Sequence, residues 1–90
     1  MSKILIIEDE QAIRNVLKSI LMDEDPKWVV DEAENGLVGI EKIKQNEYDL
    51  VISDIKMPMK DGTEVLVEAM EHNPDLQFVM ISGHGDIEIA

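Results

Sequence analysis

The chain contains no cysteine. Disulfides, thiolate zinc sites and thiol nucleophiles are thereby excluded. Positive charge is scarce: eight lysines and arginines stand against twenty aspartates and glutamates, a formal net charge of −12. Phosphate backbones and anionic membranes need basic patches, so this segment is not expected to bind either. Long hydrophobic stretches are missing too. Met1-Ser2-Lys3 passes directly into a short apolar run, and neither a signal peptide nor a membrane span is expected. The expected location is the cytoplasm. An apolar fraction of 44% beside 31% charged residues argues against wholesale disorder, and 90 residues suffice for one modest domain, 1–90.

Short apolar runs alternate with amphipathic stretches, the pattern of repeated βα units. Lys3–Ile7, Asp49–Ser53 and Gln77–Ile81 read as buried strands, and Trp28-Val29-Val30 as a weaker one with Asp31-Glu32-Ala33-Glu34 behind it. Ile13, Val16, Leu17, Ile20 and Leu21 recur at helical spacing, and Asp23-Glu24-Asp25-Pro26 ends that helix. Asn35-Gly36 starts a second helix with Leu37, Ile40 and Ile43 inward, ending near Asn46. Asp61 followed by Glu64 has the form of a capping box. It opens a third helix with Leu66, Ala69 and Met70 on its inner side, closed by Asn73-Pro74. Met80 is expected in the core, and Trp28 and Tyr48 as packing residues near strand starts. Asp86 reads as the N-cap of a fourth helix that has made about one turn at Ala90, so the domain is expected to be incomplete at its C-terminus.

In an open parallel sheet, ligands bind beyond the carboxyl ends of the strands. Glu8, Asp9, Asp54 and Ser82 each follow a predicted strand and would share that rim. At about 5 Å and an effective dielectric near 20, each ionised carboxylate pair costs roughly 3 kcal/mol. Such a cluster persists most easily around a divalent cation or a proton. The chemistry suggested is a hard metal ion beside a reactive aspartate. His84 and His72 are read as an exposed loop residue and a helix-end cation, without catalytic roles.

Glu8-Asp9, the run Asp54-Ile55-Lys56-Met57-Pro58, Gly62 and Ile81-Ser82-Gly83 together resemble the receiver domain of bacterial two-component response regulators, over essentially the whole chain. The resemblance implies an α/β, flavodoxin-like parallel sheet with helices on both faces, a (βα)5 receiver fold here lacking its fifth strand and helix. It implies that Asp54 accepts a phosphoryl group from a sensor histidine kinase and that the module is not an enzyme, assisting only its own phosphotransfer and dephosphorylation. Mg2+ would be held by Asp9, Asp54 and the backbone carbonyl of Lys56, with Glu8 acting mainly through coordinated water. Ser82 would hydrogen-bond a phosphoryl oxygen. Met57-Pro58 and Gly62 would shape the loop. Within the family, Ser82-Gly83-His84-Gly85-Asp86-Ile87 resembles receivers of sigma-54-dependent activators of the nitrogen-regulator type, implying control of transcription through an output domain or partner protein. The family's lysine at the end of a fifth strand has no counterpart, and Lys56 and Lys60 stand on the wrong loop to replace it. Strand exchange into a homodimer is a further expectation, from an apolar fourth strand at the sheet edge.

Two other readings stay open. A magnesium-dependent phosphohydrolase with an aspartate nucleophile would need a general acid two residues after it, where Lys56 stands. A flavodoxin-like binding module without chemistry would need a phosphate-cradling loop after the first strand, where Glu8-Asp9-Glu10 would repel phosphate.

Overall fold

The computed structural model describes residues 2–57 and 59–81. In order, the elements are β1 (Lys3–Ile7), α1 (Gln11–Glu24), β2 (Val29–Ala33), α2 (Gly36–Gln45), β3 (Leu50–Asp54), α3 (Gly62–His72) and β4 (Gln77–Ile81). The strands form one parallel sheet in the order β2-β1-β3-β4. This is the expected α/β architecture, with four strands among the described residues.

Connections between parallel strands are right-handed because right-twisted strands feed helices back onto the sheet in that sense. The step from β1 to β2 runs one way across the sheet, and the steps to β3 and β4 run the other way. Accordingly α1 packs on β1 and β2, while α2 and α3 pack against each other. Beneath α2 and α3 lies the main core: Leu5, Ile7 and Val51 from the sheet, Ile40 and Ile43 from α2, and Val65 and Ala69 from α3. Each fully buried aliphatic side chain of this kind contributes about 1.5–3 kcal/mol. Gly39 lets α2 settle on β1, since a Cβ there would stand 2.5 Å from Ile7 Cδ1.

The helix ends follow from their capping residues. Asn35 Oδ1 accepts from Val38 N–H at 2.9 Å at the start of α2. Asp61 Oδ1 accepts from Glu64 N–H at 3.0 Å and from Thr63 Oγ1 at 2.6 Å at the start of α3. These bonds, the Thr63 hydroxyl first, hold the Asp61 carboxyl below its usual range. Pro26 and Pro74 follow the ends of α1 and α3, where a missing N–H stops the ladder.

Several expectations need correction. The second strand spans Val29–Ala33, running through the acids, because pairing with β1 and side-chain partners for Asp31 and Glu32 satisfy them there. The third strand runs Leu50–Asp54, so Asp54 belongs to it and Asp49 does not. On α1 the apolar stripe is not fully buried: Val16 is 58% and Ile20 55% exposed, and the one buried residue of that helix is Arg14. Leu37 faces solvent, and the inner side of α2 is Gly36, Gly39, Ile40 and Ile43. On α3 the buried residues are Gly62, Val65 and Ala69; Leu66 is half-buried, and Met70 packs against the core as expected. Met80 and Trp28 are half-buried, whereas Tyr48 is in the core.

Candidate functional site

The sheet order reverses direction between β1 and β3, and at such a switch point the strand ends diverge into a crevice. The residues there come from the two most buried strands. Parallel register pairs Ile7 with Ser53, so Glu8 and Asp54 come one step further along the same pair. Glu8 is tied down on the other side by its N–H to Ala33 O at 3.0 Å, and Asp9 continues the turn. Carboxylate oxygens of Glu8, Asp9 and Asp54 lie within 4.8 Å of one another, with Glu8 and Asp54 fully buried.

Like charges so close inside a protein raise one another's proton affinity. Glu8 carries that effect: burial foremost, then Asp54 and Asp9, push its carboxyl up to about 7, against a smaller opposing bond from Glu10 N–H. That bond, to Oε1, is 3.3 Å long. Glu8 Oε2 and Asp9 Oδ1 are buried and find no hydrogen-bond donor. Oxygens without donors, packed beside other carboxylates, are what a hard cation would satisfy. Donor set and orphaned oxygens therefore fit Mg2+.

The segment after Asp54 is held tightly. Ile55 N–H donates to Ile81 O at 3.0 Å, and Gly62 N–H donates back to Ile55 O at 2.8 Å. Gly62 is required at that crossing, because a Cβ there would stand 2.3 Å from Asp54 O. The same carbonyl accepts from the buried Ser53 Oγ at 2.9 Å. Met59 adopts a left-handed backbone (φ 74°), which costs a non-glycine residue about 1–2 kcal/mol. Lys60 pairs with Glu68 at 2.7 Å, and its carbonyl oxygen would be 2.1 Å from a Cβ on Gly36. The start of α2 is thus in direct contact with this loop.

Of the expected site residues, the fold brings together Glu8, Asp9 and Asp54. Lys56 follows on the next loop with its side chain exposed, leaving its carbonyl as the group of interest. Ser82, like His84 and Asp86, lies outside the described residues. Sequence reasoning missed Arg14, which donates from Nη1 to Glu8 O at 2.5 Å. Its only signal was an arginine among the apolar residues of a helix, six positions after Glu8.

Comparison with known proteins agrees with the geometry. A family model, the response regulator receiver domain, matches residues 4–90. The chemotaxis protein CheY of Listeria monocytogenes is 40% identical over 85 residues, covering 94% of this chain and 71% of that protein. Among solved structures, the response regulator TrrA of Thermotoga maritima in complex with Mg2+–BeF matches with a TM-score of 0.86 at 36% identity, over 94% of this chain and 72% of that one. A crystal structure of the histidine kinase ThkA in complex with TrrA matches with a TM-score of 0.85 at 34% identity, over 100% of this chain and 76% of that one.

Proposed function

This chain belongs to the response regulator receiver family, the receiving half of two-component signalling, and on that premise we propose that Asp54 is its phosphoryl acceptor. Glu8, Asp9, Asp54 and the backbone carbonyl of Lys56 are the groups that would hold one Mg2+, Glu8 through coordinated water. One observation carries the reading: three carboxylates from two strand ends converge within 4.8 Å, two of them fully buried. When bound, the ion offsets negative charge between an anionic nucleophile and an anionic phosphoryl group.

The chain's own residues supply the rest. A carboxylate oxygen of Asp54 bonds to phosphorus as the phosphorus–nitrogen bond of a kinase phosphohistidine breaks. The imidazole leaves with that electron pair. β3 and the crossing at Gly62 fix the direction from which Asp54 approaches. Ser82, in the same reading, donates its hydroxyl to a phosphoryl oxygen. Phosphorylation then biases two packings of the domain, because the phosphoryl group binds one better than the other.

A sensor histidine kinase is the proposed donor, and control of transcription through an output domain the proposed readout. Slow self-dephosphorylation belongs to the same reading. No helix among the described residues is long and apolar enough to cross a membrane, and we place the module in the cytoplasm. Pairing of two copies along β4, the outermost strand on that side among the described residues, is the proposed route to a homodimer, which sedimentation at rising concentration would detect.

The test is intact-mass spectrometry after incubation with Mg2+ and a small acyl-phosphate donor, beside Asp54→Asn. One added phosphoryl group, absent from the variant, is the expected result. An unchanged gain in the variant would move the acceptor elsewhere, and continuous turnover of the donor would favour a phosphohydrolase.

A further inference from the structure

We infer that Arg14 is a positioning residue for the ion site: it clamps the β1–α1 turn that carries Glu8 and Asp9, and thereby sets affinity for a divalent cation it does not touch. The inference rests on reading Glu8, Asp9 and Asp54 as that site.

No side chain caps the start of the helix that follows this turn. Glu10 occupies the N-cap of α1 but makes no side-chain cap hydrogen bond, and the first turn of α1 contains no acid. A helix start left open in this way is normally stabilised by the cap residue itself. Here the tie comes from one turn further along. Arg14 is only 9% exposed, and its guanidinium donates two hydrogen bonds and forms an ion pair with a third group. Nη1 donates to Glu8 O at 2.5 Å, Nη2 to Gln11 Oε1 at 2.5 Å, and Nε lies 3.3 Å from Glu32 Oε1.

The far anchor is also secured. Lys18 Nζ stands 3.7 Å from Glu32 Oε2, and Lys42 Nζ donates to the Glu32 carbonyl. Since Glu8 N–H is bonded to Ala33 O, the peptide groups on both sides of Glu8 are fastened to the end of β2. The side chain between them then has little freedom to retreat from Asp54, despite the repulsion. A planar fork with fixed donor directions can do this; a single ammonium cannot make both hydrogen bonds and the ion pair at once. Groups that orient ligands from behind change metal affinity by about 10–100-fold when removed.

Isothermal titration of MgCl2 into the 90-residue chain tests this, with urea unfolding of each variant in the absence of the ion. Arg14→Met is expected to weaken Mg2+ binding about 10-fold or more. Arg14→Lys should recover part of that loss, and Glu32→Gln should show a smaller loss in a chain that keeps its fold. Ile43→Val, on the core side of α2, should lower stability and leave Mg2+ affinity unchanged. Native affinity in folded Arg14→Met, or in Glu32→Gln if the methionine variant does not fold, would reduce Arg14 to a packing residue. Equal losses in Ile43→Val would overturn the inference too, by making affinity a mere reflection of stability. A native chain that takes up no Mg2+ would instead remove the ion site itself, and this inference with it.

Discussion

The two ends of this sheet are made by the same strands and treat their acids in opposite ways. Toward the amino end two acids meet donors. Asp49 accepts from Lys3 N–H at 2.8 Å, and Asp31 accepts from Tyr48 O–H at 2.7 Å. The Lys3 ammonium donates to Asn46 Oδ1 at 2.8 Å and sits 5.3 Å over the Tyr48 ring. At the carboxyl end three acids face one another, and buried oxygens of Glu8 and Asp9 have no donor. An acid with a partner is finished structure. Buried acid oxygens without donors raise the free energy of the empty protein, and a ligand can recover that energy on binding.

The sharpest way to break the contrast is steric. Gly62→Ala places a methyl group 2.3 Å from Asp54 O, a backbone atom that cannot swing aside. The expected loss is about 3 kcal/mol in urea unfolding, with Mg2+ binding lost beside it.

A second approach uses protons. Glu8 titrates near 7 in the folded chain against its ordinary 4.5. Between those values the folded state holds a proton that the unfolded state has released. Stability without divalent ions is therefore greatest below that window and falls as pH rises through it, by about 3 kcal/mol. Unfolding curves from pH 4 to 8 on native chain and Glu8→Gln measure this. The variant should lose the slope, and a native profile flat across the window would contradict the cause assigned to it.

Mg2+ should reverse the imbalance directly. At 100 times its dissociation constant it should add about 2.7 kcal/mol to the native chain. Asp54→Asn should gain stability without the ion, through relief of repulsion, and lose most of the increment with it. Paired melts with EDTA and with MgCl2 would show both.

The smallest effect is expected at the amino end. Burial first, and the Asp31 bond second, hold the Tyr48 hydroxyl far above its usual range, so it stays a donor at every ordinary pH. Tyr48→Phe should cost about 1 kcal/mol by removing one hydrogen bond. Mg2+ affinity should not change. If it did, the two ends would not be independent.

What the sequence revealed of this follows the same division. Uniform apolar runs ending in acids, as at Ile7-Glu8 and Ser53-Asp54, declare both a buried parallel strand and a rim, and the three carboxylates were legible from that alone. β2 was only half legible, because its acids are made tolerable by Tyr48 and Arg14, residues distant in sequence. The α1 periodicity misled for a related reason. Helical spacing identifies an apolar stripe but does not say how much sheet lies beneath it. The buried position on that helix went to a cation with two hydrogen bonds and an ion pair, a need that hydropathy does not register.

The contact of Gly36 with Lys60 carries a mechanical consequence. With 2.1 Å between a would-be side chain and the opposing carbonyl, the joint has no play even for a methyl group. Packed joints shift between discrete seats instead of stretching. A rearrangement of the loop behind Asp54 must therefore push the head of α2 or be blocked by it. A residue bulkier than glycine at position 36 would drive the Lys60 carbonyl, and the loop that carries it, out of that seat.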